Sequence, residues 1–399
     1  MSFKQSLRIS WHKLKRPGDW VPEDFLVYGL LCPALFLYVV ADRFPFLYAV
    51  PFLFTAWRFW LESKMEKPQW PDWKSPFLIP LYLVSISALL AFVVPDGYRL
   101  NQVLIRDWLI IPGYFLPFLF PLRFDWKHVR DLFLVEVLAY LVWIDYSKFD
   151  SFFSTFFSAR STTEYDMGLF FGLFLLFFLY RRKWNWSLAA GLVLLLVSKR
   201  IIYLGLVFPL AWLVFSQAIK GLNTRTSRQG LGLLVWVGLT LFSFVIVDAM
   251  TWYFHDFRGG NNRIDFMLNG RAFSLNFILF MWEHSSLWHQ FAGHGPGQLD
   301  SLISLFRPVH WARTYPQPTN PHNDYLKLLY DYGLLGAGLY AWNICRIYTR
   351  SVLGTLLLFY TLIVFFLDNP LIHSYYNLIA GVMLFTFPPN EAKAAPSGN

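Results

Sequence analysis

Apolar runs of membrane-crossing length recur from one end of this chain to the other, and that recurrence limits what it can fold into. A bilayer core takes roughly 20 apolar residues per helix, within about 17 to 25. Windows of this kind fall at about 25–41, 44–60, 76–94, 106–122, 131–147, 165–180, 184–198, 201–218, 231–250, 325–345, 351–367 and 371–387. The expected fold class is therefore all-α, a polytopic membrane protein with about 12 transmembrane helices and one long loop. Charged residues make up only 15% of the chain, against roughly 25% in soluble domains. The expected organisation is helices 1–9 over 1–250, a loop region over 251–324, and helices 10–12 with a short tail over 325–399.

The net charge of +9 does not point to nucleic acid, because the basic residues sit in short clusters between apolar runs, where they act as topological anchors. With the N-terminus inside, the inner loops collect Lys64, Lys67 and Lys74, then Arg123, Lys127 and Arg130, then Arg181 to Lys183, then Lys220, Arg225 and Arg228. The opposite short loops are diluted by Asp96, Asp145, Glu164 and Asp166. This bias places the long loop on the outer side. The basic stretch before Phe25 resembles a signal peptide, but further spans follow at once, so the first run reads as an uncleaved helix.

Two features break the pattern. Lys199-Arg200 interrupts the apolar stretch from Trp184 to Gln217, whose two basic flanks both belong inside. The stretch must cross twice and turn there, leaving a seventh span of about 15 residues, or roughly 22 Å, against a hydrocarbon core of roughly 30 Å. Cations at such depth suggest function, the alternative being that they snorkel to lipid phosphates. The outer loop carries Arg258, Arg263, Arg271, Arg307 and Arg313. Their planar forks suit phosphate oxygens, although pairing with Asp256, Asp265, Glu283 and Asp300 would also account for them.

The most specific local signal is Asn320 to Gly336, NPHNDYLKLLYDYGLLG. Asn320 reads as an N-cap and Pro321 as the first helical residue, which puts His322 and Asn323 in the first turn. Free N–H groups there attract anions, and the dipole keeps an imidazole neutral and able to accept a proton. The plainer reading of His322 is an interfacial helix residue. No metal is expected: His284, His289 and His294 recur every five residues and so do not share a helical face, and no Cys or carboxylate cluster completes a site. Cys32 and Cys345 lie in apolar runs without paired spacing. The loop aromatics Trp252, Tyr253, Trp282, Trp288, Trp311 and Tyr315 suit sugar stacking and a membrane interface equally well.

These residues carry a family resemblance. His322-Asn323, nine residues, Gly333, two residues and Gly336 match a pattern of the bacterial O-antigen ligase and polymerase superfamily: His followed by Asn, Ser or Gln, nine residues, Gly, two residues, then Gly, Thr or Tyr. Arg200 to Leu204 fits the shorter Arg-x3-Leu pattern of the ligases, and Asn269-Gly270-Arg271, Trp282 and Gly293-His294-Gly295-Pro296-Gly297 resemble the stretch ahead of the histidine. The chain thus resembles polytopic, GT-C-like enzymes that move glycans from undecaprenyl diphosphate at the periplasmic face.

The resemblance implies roles. His322 is similar to the base that deprotonates the acceptor hydroxyl, and Asp368 to the carboxylate that orients it, unless Asp368 is merely a turn former. Arg200 and Arg271, with Lys199 beside them, resemble the cations that hold the donor diphosphate. Asn323, Arg258 and Arg263 are possible loop contacts, and Gly293 to Gly297 is either part of the motif or a plain loop. The activity so implied is metal-independent, inverting transfer of O-polysaccharide from undecaprenyl diphosphate to lipid A-core in the bacterial inner membrane, without a cofactor. The alternatives are an O-antigen polymerase, a protein O-glycosyltransferase, and, from a different class, a transporter of a lipid-linked or anionic solute.

Overall fold

Helix occupies nearly every apolar window that the structure describes. The computed structural model describes residues 21–40, 46–93, 111, 113, 115–143, 168–197, 200–218, 221, 224–256, 271–306, 323–367 and 376–386. Helix accounts for 84% of it and there is no strand among the described residues, so the class is all-α. In chain order the helices are α1 (Pro22–Asp24), a π-helical segment (Phe25–Leu31), α2 (Cys32–Val40), α3 (Phe46–Glu62), α4 (Ile79–Val93), α5 (Trp126–Trp143), α6 (Leu169–Tyr180) and α7 (Trp184–Val197). They continue with α8 (Arg200–Ala218), α9 (Arg225–Asp256), α10 (Arg271–Glu283), α11 (Leu287–Ala292), α12 (Gln298–Phe306), α13 (Asp324–Tyr348), α14 (Val352–Leu367) and α15 (Tyr376–Leu384). Of the 106–122 window, residues 111, 113 and 115–122 are described, and its last part forms a 3-10 turn at Leu116–Leu119. By length and composition one described helix can cross a bilayer, the stretch Arg225–Val245 of α9, and five apolar helices are shorter.

The chain divides into two units, one of 1–73, 113–199 and 377–399, the other of 74–112 and 200–376. In the first unit, Phe133 of α5 meets Phe171, Phe174 and Phe178 of α6 edge-on, at centroid distances of 5.5 to 6.1 Å. Such edge-to-face pairs satisfy the ring quadrupoles while filling the core. The π-helical segment brings Tyr28 to Asp131, its hydroxyl donating at 2.7 Å. His128 binds Asp24 through Nε2 at 2.9 Å while its Nδ1 accepts from the Asp125 N–H, which sets the neutral tautomer with the proton on Nε2.

In the second unit α8 lies on α14, where Gly205 admits the Tyr360 ring: a Cβ there would fall 2.9 Å from Tyr360 Cε2. The main departure from expectation is α13. The window 325–345 reads as one span, yet the helix breaks at Gly333, whose φ of 68° and ψ of −179° are not helical. In a straight helix residues 325 and 340 would lie about 22 Å apart. The Trp236 indole nevertheless sits 4.7 Å from the Tyr325 ring and 6.1 Å from the Tyr340 ring. The chain therefore bends sharply between segments 324–332 and 334–348. At the bend a Cβ on Gly336 would fall 2.6 Å from Tyr332 Cβ, where successive turns of a helix keep such atoms about 5–6 Å apart. Both motif glycines are thus demanded by the bend.

Candidate functional site

Only part of the expected site lies within the described residues. His322, Asp368, Lys199, Arg258 and Arg263 fall outside them. Arg200 is the first residue of α8 and Arg271 the first of α10. Asn323 is fully described, and it corrects the expected helix start. The cap of α13 is Asn323, not Asn320: its backbone is extended (φ −156°, ψ 104°) and its side-chain oxygen accepts from the Leu326 N–H at 3.1 Å. Its amide also donates to Ser243 Oγ of α9 at 3.0 Å. A cap that satisfies an orphan helix N–H and a second partner together outweighs the Pro321 signal. This helix therefore begins at Asp324, and Asn323 caps it instead of lying in its first turn.

Behind the cap, the bend at Gly333 receives the glycine-rich loop. Gly293, Gly295 and Gly297 all have positive φ. The backbones of Gly293 and Gly333 lie against each other: a Cβ on Gly293 would fall 2.6 Å from Tyr332 Cα, and one on Gly333 2.5 Å from the Gly293 nitrogen. The carbonyls of Tyr330 and Asp331, which a continuous helix pairs four residues on, accept here from His294 N–H (3.0 Å) and Gly295 N–H (2.9 Å). The loop is a docking element of defined geometry.

At the centre of the docked surface lies a buried ion network that the sequence reading missed. Lys327 Nζ donates to Asp300 Oδ2 at 2.8 Å and to Asp331 Oδ2 at 2.9 Å, with all three side chains at most 1% exposed. Asp331 also accepts from Gly297 N–H (3.1 Å) and Leu299 N–H (3.0 Å). A glycine-rich turn leading into a helix is a ready anion site. In this chain its anion is internal. Asp300, one of the acids expected to offset the loop arginines, is engaged by Lys327. The available signal was a Lys and an Asp four residues apart in a run read as membrane-spanning, where paired charges on one helix face are unusual.

Over this network stand three parallel rings. His294 stacks on Tyr330 at 4.3 Å and on His289 at 4.3 Å. Its Nε2 meets Ser285 Oγ at 2.8 Å, and His289 Nδ1 meets Ser286 Oγ at 2.9 Å. Their five-residue spacing keeps these histidines off one helical face, but the turn at Gly293 brings them together. Burial, and then the neighbouring His289, push the His294 imidazole down to about 4. His284 lies apart, on Phe280. Among the described residues no three His, Cys, Asp or Glu side chains gather to hold a metal.

Comparison with known proteins returns no matching family model, no matching curated protein and no matching solved structure.

Proposed function

We propose that the protein is a polytopic glycan transferase of the bacterial inner membrane, which passes O-polysaccharide from undecaprenyl diphosphate to lipid A-core at the periplasmic face. The observation that carries the reading is the coincidence of motif and geometry in segment 323–336. The two glycines of the histidine pattern lie at the bend, and the glycines of the upstream motif are the ones that dock there. A pattern so tied to one local architecture is unlike a chance match.

Membrane insertion is supported by exposed apolar rows. On α9, Leu234, Val237, Leu241 and Val245 follow helical spacing and are 53–68% exposed; Leu204, Val207 and Val214 do the same on α8. Soluble monomers seldom present such contiguous apolar faces, whereas lipid solvates them. With the remaining windows this supports about twelve spans.

In this reading His322 takes the proton of the acceptor hydroxyl as its oxygen attacks the anomeric carbon. The carbon–oxygen bond to the diphosphate breaks with inversion, and the charge that develops on the departing group is met by Arg200, Arg271 and Lys199. Preorganised cations supply the larger effect, and a general base adds about 10² to 10⁴-fold. Asp368 orients the histidine. The arginines do the work of a metal, so transfer persists in chelator.

The test is deletion of the gene followed by analysis of the lipopolysaccharide, with complementation by His322→Ala. Polymer missing from the core while it accumulates on undecaprenyl diphosphate, uncorrected by His322→Ala, is the expected result. Cores capped with a single repeat would assign a polymerase instead, and unchanged lipopolysaccharide would remove both.

A further inference from the structure

Two carboxylates meet Lys327: Asp300 from α12, and Asp331 from the lysine's own helix, which also accepts from the loop. Asp300 and Asp331 contribute equally to the charge balance, each through one oxygen at 2.8 to 2.9 Å. Asp331 reaches further, accepting the Gly297 and Leu299 N–H groups with its carboxylate and the Gly295 N–H with its carbonyl. Its carboxylate stands at the N-terminal end of α12, where free N–H groups attract an anion. His294 extends the connection, since its N–H donates to the Tyr330 carbonyl and its ring bonds Ser285 just beyond α10.

We propose that Asp331 is a positioning residue: as a built-in anion it fills the glycine-rich turn where a phosphate would otherwise bind, and so sets segment 293–299 and the end of α10 against the helix that Asn323 caps. The inference rests on the glycan-transfer reading, in which Arg271 at the head of α10 holds the donor and His322, adjacent to Asn323, takes the acceptor proton. The donor-holding and proton-accepting parts of the chain are then referred to each other through one carboxylate that touches neither substrate. Lys327 donates to that carboxylate in its buried place and to Asp300 as well.

The asymmetry between the two acids supplies the test. Full-length wild type, Asp331→Asn, Asp331→Ala, Asp300→Asn and His322→Ala are compared in nanodiscs with an undecaprenyl-diphosphate-linked glycan and a lipid A-core acceptor. Misplacement of reacting groups by about 1 Å costs on the order of 10²-fold, so Asp331→Ala should lose about that much in kcat and Asp331→Asn about tenfold. Donor KM should stay within about threefold in both, because the losses fall on the chemical step. Asp300→Asn should keep most of its turnover, since Lys327 and the loop both retain Asp331. Hydrogen exchange over 297–299 should rise in the two Asp331 variants and not in Asp300→Asn.

Equal losses in Asp300→Asn and Asp331→Asn would mean that the network acts through charge alone, which overturns the proposal. Full turnover in Asp331→Ala alongside a dead His322→Ala overturns it while leaving the glycan-transfer reading intact. Full transfer by His322→Ala overturns that reading, and the positioning role with it.

Discussion

Helix α6 and the first segment of α13, residues 324–332, are both short and almost wholly buried, yet they are buried on opposite terms. In α6 the sequence LFFGLFLLFFLY puts nine apolar or glycine residues inside, from Leu169 to Phe178. In 324–332 all nine residues are buried, and Asp324, Lys327 and Asp331 are among them. Burial of α6 depends on area and shape, which many arrangements of Phe and Leu can provide. Burial of Lys327 and Asp331 in 324–332 depends on partners at hydrogen-bond distance, because an uncompensated ion inside costs several kcal/mol. The first kind of interior tolerates variation. The second specifies one register of loop against helix, which is what a site needs of its scaffold.

The comparison is broken most severely at Gly333. Gly333→Ala puts a Cβ onto the backbone of Phe291 and Gly293 at a φ of 68°. With strain and overlap together the loss should exceed about 3 kcal/mol. Thermal unfolding in detergent should show it as a large fall in Tm or as no folded protein, whereas Gly191→Ala on α7, where a Cβ meets nothing within 4 Å, should be neutral or better.

Next in size, Lys327→Met takes the cation from two buried carboxylates and should cost about 3–5 kcal/mol. The triple change Lys327→Met, Asp300→Asn, Asp331→Asn should recover part of that loss. In α6 the near-isosteric Leu173→Met should cost less than about 1.5 kcal/mol. A Lys327→Met variant as mild as Leu173→Met would dissolve the contrast between the two interiors.

The smallest effect is pH-dependent. His294 is held down to about 4, below the ordinary value of about 6.5. Above about 6.5 the imidazole is neutral folded or unfolded, and stability is at its full value; as pH falls towards 4 the unfolded chain takes the proton first, and stability is lost. The fall in Tm between pH 7.5 and 4.5 should therefore be shallower in His294→Gln. An identical fall in both proteins would show that the ring stack does not feel this proton.

Helix positions were legible because apolar runs announce themselves whatever they pack against. The windows at 184–198 and 201–218 fall on α7 and α8, and Arg200 opens the second. The cap at Asn323 was misread because two Asn residues three apart both suit a helix start, and only Ser243, eighty residues earlier in the chain, favours the second. The bend is hidden in the sequence because Leu334 and Leu335 continue the apolar pattern through it. Gly333 alone marks it, and a lone glycine in a helical run is more often tolerated than a break.

The sequence by itself determined the class of the fold, the spacing of the helices and the residue types available for chemistry, because hydropathy and charge act locally and survive any change of neighbours. Only the tertiary structure decided that the chain bends at Gly333, that two histidines five residues apart share a stack, and that Asp331 answers the glycine loop. Those outcomes depend on backbone approach and on partners distant in sequence. A buried charge or a positive φ becomes favourable only when the opposing surface is in place.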